Sequence, residues 1–328
     1  MAIRYGASLT ASRLNRRSLL VAGAGGLALV TTRGSLAQDA AKPTVKIGSK
    51  DFTEQIVVNQ MIALLLENAG YKVDRKLNLG GTAVVHQALV SGQIDAYVEY
   101  TGTGLLAILK LPVPAAGASP APSANGTPAA SAGVDAVYET VKKEYKSRFD
   151  LVWLDPLGFN DTYALAMRQE QVAELGVKTI SDLKDKAGDL KFGGTQEFLT
   201  RPDGLPGLTQ KYGLKFKEER GMDPGIMYQA LDSSQVDVIS AFTTDGRIPA
   251  LGLVTLEDDL GFFPPYFAAP VVRQQLLDQD PKIAGVLNQL AGKIDNETMA
   301  GLNLQVDDQK KEPEDVAAAF LKEQGLTA

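Results

Sequence analysis

A chain of 328 residues, 45% hydrophobic and 22% charged, has the apolar content to build one or two cored domains and too much of it for an intrinsically disordered protein. With 33 Lys+Arg against 39 Asp+Glu the net charge is −6, which speaks against a nucleic-acid surface. No cysteine and a single histidine, His86, together remove disulfide frameworks, thiolate zinc sites, iron–sulfur clusters, Cys nucleophiles and multi-histidine metal sites.

The N-terminal segment runs from Arg13-Leu14-Asn15-Arg16-Arg17-Ser18 through a Gly/Ala/Leu/Val stretch, Val21 to Val30, to Gly34-Ser35-Leu36-Ala37. A basic start, a short apolar run and a small-x-Ala end read as a secretory signal over residues 1–37, and the Arg16-Arg17 pair resembles a twin-arginine export signal. An uncleaved anchor is the competing reading, against which stands the shortness of the apolar run. Removing residues 1–37 takes away five arginines and no acid, so an acidic, exported, periplasmic chain is expected. No later apolar run nears the roughly 18 residues of a membrane span.

From Val45 onward short apolar runs alternate with helical patterns, as in α/β folds. Residues 45–48 predict a strand. Asp51, with Glu54 three residues on, predicts a capping box for a helix whose apolar face carries Val57, Met61, Leu64 and Leu65 and whose stop is Gly70. Residues 71–79 predict a strand, Gly80-Gly81-Thr82 a turn into a short helix, and residues 94–99 another strand. Residues 112–133, rich in Pro, Ala and Ser, hold no apolar period and read as a low-complexity surface insertion, with an interdomain linker as the alternative. An amphipathic helix over 134–145 follows. Strands are then predicted at 151–155, 162–167, 190–194, 214–218, 236–242 and 254–257, and helices alone from Val271 to the end. Strand, Gly/Ser turn and helix, repeated, put the turns at the carboxyl ends of strands, where an open sheet keeps its ligand crevice.

Enzymatic constellations fail on inspection: there is no Walker loop, G-x-G-x-x-G, H-E-x-x-H or G-x-S-x-G, and no cofactor is implied. The acid pairs Asp258-Asp259 and Asp307-Asp308 read as solvated surface, and His86 as an ordinary helix residue. What stands out are aromatic, cationic and hydroxyl residues placed at turns rather than in core periods. They lie in Tyr97–Thr103, Phe159–Tyr163, Thr200–Gly204, Phe242–Arg247 and Phe262–Phe267.

Five segments in this order, Gly48-Ser49-Lys50-Asp51-Phe52-Thr53-Glu54-Gln55, Tyr97-Val98-Glu99-Tyr100-Thr101-Gly102-Thr103, Asn160-Asp161-Thr162-Tyr163-Ala164-Leu165, Thr243-Thr244-Asp245-Gly246-Arg247 and Phe263-Pro264-Pro265-Tyr266, carry a family resemblance. They closely resemble the substrate-binding proteins of osmoprotectant ABC importers, which capture glycine betaine, choline, carnitine and related quaternary amines. The resemblance runs from about Val45 to the C-terminus. It implies an α/β, two-lobed periplasmic-binding-protein fold of type II, with central mixed sheets flanked by helices and the ligand cleft between lobes. The outer lobe would comprise residues 44–158 and 263–328, the inner lobe 159–262, with crossings near 157–159 and 262–264. The family's aromatic cage maps onto Tyr100, Tyr163 and Tyr266, with Phe242 where tyrosine is usual, and its carboxylate clamp onto Lys50, Thr103 and Arg201. Phe267 departs from the small polar residue often found there. The implied partners are a small quaternary amine, a membrane permease and its ATPase subunit; the receptor itself would be a monomer.

The chemistry agrees with that mapping. A trimethylammonium group has no N–H to donate, so ring faces select it where acceptors would not. Each ring contributes roughly 0.5–1 kcal/mol when exposed and about 2 kcal/mol when desolvated. Three or four rings plus a charge-assisted clamp are comparable with the roughly 8 kcal/mol of micromolar binding, once association costs are subtracted. Arg201 suits a carboxylate because its planar fork can engage both oxygens, with Lys50 and the Thr103 hydroxyl completing the clamp. The alternatives are a binding protein for another small zwitterion such as a polar amino acid, which would want acidic residues in the cleft, an enzyme acting on quaternary amines, and a surface protein using the Pro/Ala/Ser loop for contacts.

Overall fold

The computed structural model describes residues 42–114 and 132–327. The expected signal segment and most of the 112–133 insertion lie outside the described residues. The strands are β1 Thr44–Gly48, β2 Lys72–Lys76, β3 Ala96–Tyr100, β4 Leu151–Trp153, β5 Tyr163–Arg168, β6 Lys191–Thr195, β7 Glu218–Met222, β8 Val238–Phe242, β9 Leu253–Leu256 and β10 Ala268–Arg273. They form two five-stranded sheets, ordered β2-β1-β3-β10-β4 and β7-β6-β8-β5-β9. Both sheets are mixed and built alike. In the first, β1 runs parallel to β2 and β3, and β10 runs antiparallel to β3 and β4. In the second, β6 runs parallel to β7 and β8, and β5 antiparallel to β8 and β9. Helices flank the sheets, so the α/β architecture expected from the alternating pattern is present.

The core explains the central strands. Val45 and Ile47 of β1 and Val98 of β3 are buried with Val57, Met61, Ile62 and Leu65 of the Thr53–Asn68 helix. Each such aliphatic side chain contributes about 1.5–3 kcal/mol relative to leaving it exposed. The C-terminal helices Asn296–Asp307 and Pro313–Glu323 close over the same helix. Among the described residues no helix is long and apolar enough to cross a membrane.

Three local expectations are corrected. The Asp51/Glu54 capping box does not form: the helix N-cap is Phe52, with no side-chain cap, and Glu54 turns inward to bond Tyr100, Thr244 and Asn303. Residues 214–218 are not a strand. Leu214 and Phe216 are buried loop residues, and the strand begins only at Glu218, as the edge strand β7, whose EERGM sequence carries no apolar alternation because none of its residues is buried. The chain also does not turn wholly helical at Val271. Ala268, Ala269, Val271 and Val272 are completely buried in β10 between β3 and β4. A continuous apolar run suits a strand buried on both faces, while the proline inside it argues against an inner strand. Pro270 nevertheless sits in the inner strand β10 and uses its carbonyl, which accepts the Leu154 N–H at 2.9 Å.

The chain passes from the first sheet to the second after β4 and returns before β10, and the two passages lie side by side. Asn160 and Phe267 form an antiparallel bridge, the Asp161 N–H donates to the Tyr266 carbonyl at 3.2 Å, and the Asn160 side-chain oxygen accepts the Tyr266 N–H at 2.6 Å.

Candidate ligand cleft

A cleft of about 270 Å³ opens between the two sheets. It is slightly smaller than the roughly 300–1,000 Å³ of pockets for drug-sized ligands, a size that fits a small solute. Its walls come from the carboxyl ends of strands. Lys50 and Phe52 follow β1, Tyr100 ends β3 with Thr103 just beyond, Glu197 follows β6 and Phe242 ends β8. Strand register completes the wall: Tyr163, the first residue of β5, pairs directly with Phe242, and Ala268 pairs with Tyr100, which brings Tyr266 in beside the end of β3. All seven residues singled out in the sequence, Lys50, Tyr100, Thr103, Tyr163, Arg201, Phe242 and Tyr266, line this one cleft.

The rings form an unbroken arc. Centroids are 6.2 Å apart for Tyr100 and Phe52, 5.6 Å for Phe52 and Phe242, 5.2 Å for Phe242 and Tyr163, and 5.6 Å for Tyr163 and Tyr266. Phe52, which stacks on Phe242 at 6° from parallel, has no role in the sequence-based mapping. The available signal was its position: an aromatic residue at a helix N-cap, where Ser, Thr, Asp or Asn is the rule. Tyr266 lies against Gly102, where a Cβ would stand 2.7 Å from the ring and 2.9 Å from the Pro265 carbonyl, so only glycine admits the ring in this place. Two hydroxyls are tied to buried carboxylates: Tyr100 donates to Glu54 Oε1 at 2.7 Å and Tyr266 to Asp203 Oδ2 at 2.8 Å. Burial first, and Glu54 and Asp203 second, push both phenols well above the ordinary tyrosine range, so they stay protonated donors.

The cations are not free. Lys50 Nζ meets Glu99 Oε1 at 2.6 Å with both side chains buried, and Tyr97 holds the other Glu99 oxygen at 2.9 Å. Arg201 turns its fork to Asp203, Nε to Oδ1 at 2.8 Å and Nη2 to Oδ2, while Nη2 also reaches Thr103 Oγ1 at 3.2 Å and Nη1 donates to Glu197 Oε1 at 2.9 Å. The fork expected to face a ligand carboxylate therefore faces a carboxylate of its own loop. The other Glu197 oxygen accepts the Thr82 N–H at 3.2 Å from the first-sheet side. Burial raises the Glu197 carboxyl, but Lys50, Arg201 and the Thr82 N–H outweigh it and hold it below the usual range. Asp51, Asp161 and Asp223 also line the cleft. Asp51 and Asp161 fall within the segments that carry the family resemblance but have no ligand role in that mapping, and Asp223 falls outside those segments.

Other residues noted in the sequence have structural settings. His86 packs edge-on against Tyr145 and Phe149, at 5.6 and 4.8 Å. Asp258 and Asp307 are largely buried, unlike the solvated pairs expected, while Asp259 and Asp308 are exposed: Asp258 accepts the Phe262 and Phe263 N–H groups at 2.9 Å, and Asp307 pairs with Arg247 at 3.3 Å.

Comparison with known proteins places the chain. Residues 43–323 match the model of the substrate binding domain of ABC-type glycine betaine transport systems. The ergothioneine transport permease/ergothioneine binding protein of Helicobacter pylori is 36% identical over 286 residues, which are 87% of this chain and 48% of that protein, so the chain spans about half of its length. The glycine-betaine-binding protein of Pseudomonas aeruginosa is 36% identical over 298 residues, 88% of this chain and 90% of that one. The crystal structure of a glycine betaine/carnitine/choline ABC transporter protein superimposes with a TM-score of 0.67 at 33% identity, covering 86% of this chain and 99% of that one.

Proposed function

Because the chain belongs to the family of substrate-binding domains of ABC-type glycine betaine transport systems, we propose that it is an extracytoplasmic receptor that captures a quaternary ammonium solute, glycine betaine, choline or similar, and hands it to a membrane permease driven by a cytoplasmic ATPase. The observation that carries this reading is the arc of five rings, Tyr100, Phe52, Phe242, Tyr163 and Tyr266, around a cleft of about 270 Å³. A permanently charged nitrogen without N–H gains from ring faces, and several rings at roughly 1–2 kcal/mol each supply most of a micromolar affinity. Phe242 keeps the face that attracts the cation and gives up only a hydroxyl. Lys50, Thr103 and Arg201 form the wall toward which the solute's polar end turns.

The receptor works as two lobes, residues 44–158 with 263–328 and residues 159–262, hinged at the paired passages near Asn160 and Phe267. Closing the lobes excludes water and strengthens the cation–π contacts, and the closed form is the one the permease engages. Export of a monomer to the periplasm through the twin-arginine leader completes the proposal. Ligands in the names of similar proteins, glycine betaine, carnitine, choline and ergothioneine, share a trimethylammonium group.

Isothermal titration with glycine betaine, choline, carnitine, ergothioneine and an amino-acid panel tests this. Micromolar binding of at least one quaternary amine is expected, and binding confined to the amino acids would sink the proposal. That second reading, a receptor for a polar amino acid, draws on Asp51 and Asp223, whose carboxylates in the cleft wall could accept from a primary ammonium.

A further inference from the structure

The cleft contains its own anion. Of the three carboxylates facing Lys50 and Arg201, Glu99 lies fully buried and tied to Tyr97 and Lys50, and Asp203 is locked between Arg201 and Tyr266. Glu197 differs. Its side chain is 30% exposed, it lines the cleft itself, and its two oxygens are divided between Arg201 Nη1 at 2.9 Å and the Thr82 N–H at 3.2 Å. Thr82 opens the Thr82–Val90 helix on the first-sheet side, so the carboxylate spans the cleft from one sheet's loops to the other's. A guanidinium N–H, the N–H of a helix's first turn and a neighbouring ammonium are the surroundings a ligand carboxylate would seek. Gly81 makes the room, since a Cβ there would stand 2.8 Å from Glu197 Oε2.

We propose that Glu197 is a specificity residue: it fills the anion position of the cleft with a carboxylate of the protein, so that the site favours quaternary ammonium alcohols of the choline type over betaines that bring a carboxylate of their own. The inference rests on the quaternary-amine reading above and deepens it. A betaine carboxylate has to displace Glu197 from Arg201 and Thr82 or lie beside it and be repelled. A neutral hydroxyl can accept from Arg201 or donate to Glu197 with neither penalty. The remaining donors do not relieve the conflict, because Lys50 is closed by Glu99 and the Arg201 fork by Asp203. The lining acids Asp51 and Asp223 add to the preference for a ligand with net positive charge. Glu197 is held ionised by Lys50, Arg201 and the Thr82 N–H against the effect of its burial, so the built-in anion is present at neutral pH.

Titration calorimetry of the wild type and of Glu197→Gln with choline and with glycine betaine decides the matter. The wild type is expected to bind choline at least tenfold more tightly than glycine betaine. Glu197→Gln, isosteric and still able to accept from Thr82, is expected to narrow that ratio tenfold or more, chiefly by improving betaine binding. A wild type that binds betaine as tightly as choline, or a variant that weakens both ligands equally as the loss of a mere strut would, overturns the proposal while leaving the quaternary-amine reading intact. Binding of neither ligand overturns the proposal, and the quaternary-amine reading falls with it only where carnitine and ergothioneine fail to bind as well. If thermal melting shows Glu197→Gln unfolded, Glu197→Ala is titrated in its place, and a choline-to-betaine ratio unchanged from wild type overturns the proposal.

Discussion

Glu54 and Asp161 share one hydroxyl: Thr244 Oγ1 lies 2.5 Å from Glu54 Oε2 and 2.8 Å from Asp161 Oδ1. A hydroxyl has a single proton and can donate to only one of them. The second contact needs a proton on one of the two carboxyls, which then donates to the threonine oxygen. Burial is the main cause that raises both groups, with the charge of Asp245 adding to it for Glu54 and the charges of Glu54 and Asp245 for Asp161. Glu54 is pushed up to about 7 and Asp161 well above the usual carboxylate range. Glu54 belongs to the helix over the first sheet, whereas Thr244 follows β8 of the second, so this proton joins the two sides of the cleft.

Stability follows with a definite sign. Between the ordinary glutamate value of 4.5 and about 7, the folded protein holds a proton on Glu54 that the unfolded chain has released. Stability from this group is therefore fully present below pH 4.5 and is lost as pH rises through about 7. Melting curves at pH 5 and pH 8 should show the wild type losing more on alkalinisation than Glu54→Gln, which carries no titrating proton. A difference of a few degrees is expected, since about 1 kcal/mol moves the Tm by roughly 2–4 °C in chains of 150–250 residues. Parallel pH profiles for the two proteins would contradict the shared proton.

Tyr266 offers the solute a face that no neighbour can replace, because Gly102 and Pro265 fix where the ring lies. Tyr266→Ala should cost at least tenfold in affinity for a quaternary amine, about 1.4 kcal/mol. Gly102→Ala should approach the same loss without touching the solute, because the new methyl would stand 2.7 Å from the ring and displace it. Calorimetry that finds Gly102→Ala at wild-type affinity would show that the ring's position is immaterial.

Phe52 should behave as a ring of the site and not as a mere helix start. Phe52→Ala removes the member that joins Tyr100 to Phe242, at 6.2 and 5.6 Å, and a severalfold loss of affinity is expected, with Phe52→Tyr close to wild type. Equal binding by the alanine variant would confine the cage to the other four rings.

How far the sequence reaches is visible in these same residues. Val45 and Ile47 announce their strand by alternation, and the Thr53–Asn68 helix is legible as an apolar helix, although it is buried nearly all round between the first sheet and the C-terminal helices and not on the single face the spacing predicts. Tyr100, Tyr163, Phe242 and Tyr266 stand out because aromatic residues at strand ends have no packing period to serve. The strand β7 is silent, since none of the residues of EERGM is buried to impose an apolar alternation, and β10 is masked by an apolar run that suits more than one element and a proline that argues against an inner strand. The carboxylate partners are invisible for another reason. Thr82 and Glu197 are 115 residues apart, and Glu54 and Thr244 are 190 apart, so their contacts arise from the meeting of two sheets and have no local signature.

Arg201 is held by the protein before any ligand arrives, and that alters what its removal should do. Its side chain and that of Asp203 are 8% and 3% exposed, with Glu197 and Thr103 as further partners. Taking away one member of a buried ion pair leaves the other charge uncompensated, at about 3–5 kcal/mol. Arg201→Ala should therefore lower the melting temperature by several degrees and weaken choline as well as betaine, because Asp203 also anchors the hydroxyl of Tyr266 at 2.8 Å. The double variant Arg201→Ala/Asp203→Ala removes both charges and should recover part of the stability, though not the affinity, since Tyr266 stays unanchored. If instead Arg201→Ala keeps the wild-type melting temperature and loses betaine alone, the guanidinium serves the ligand and not the fold, and the pairing with Asp203 is energetically idle.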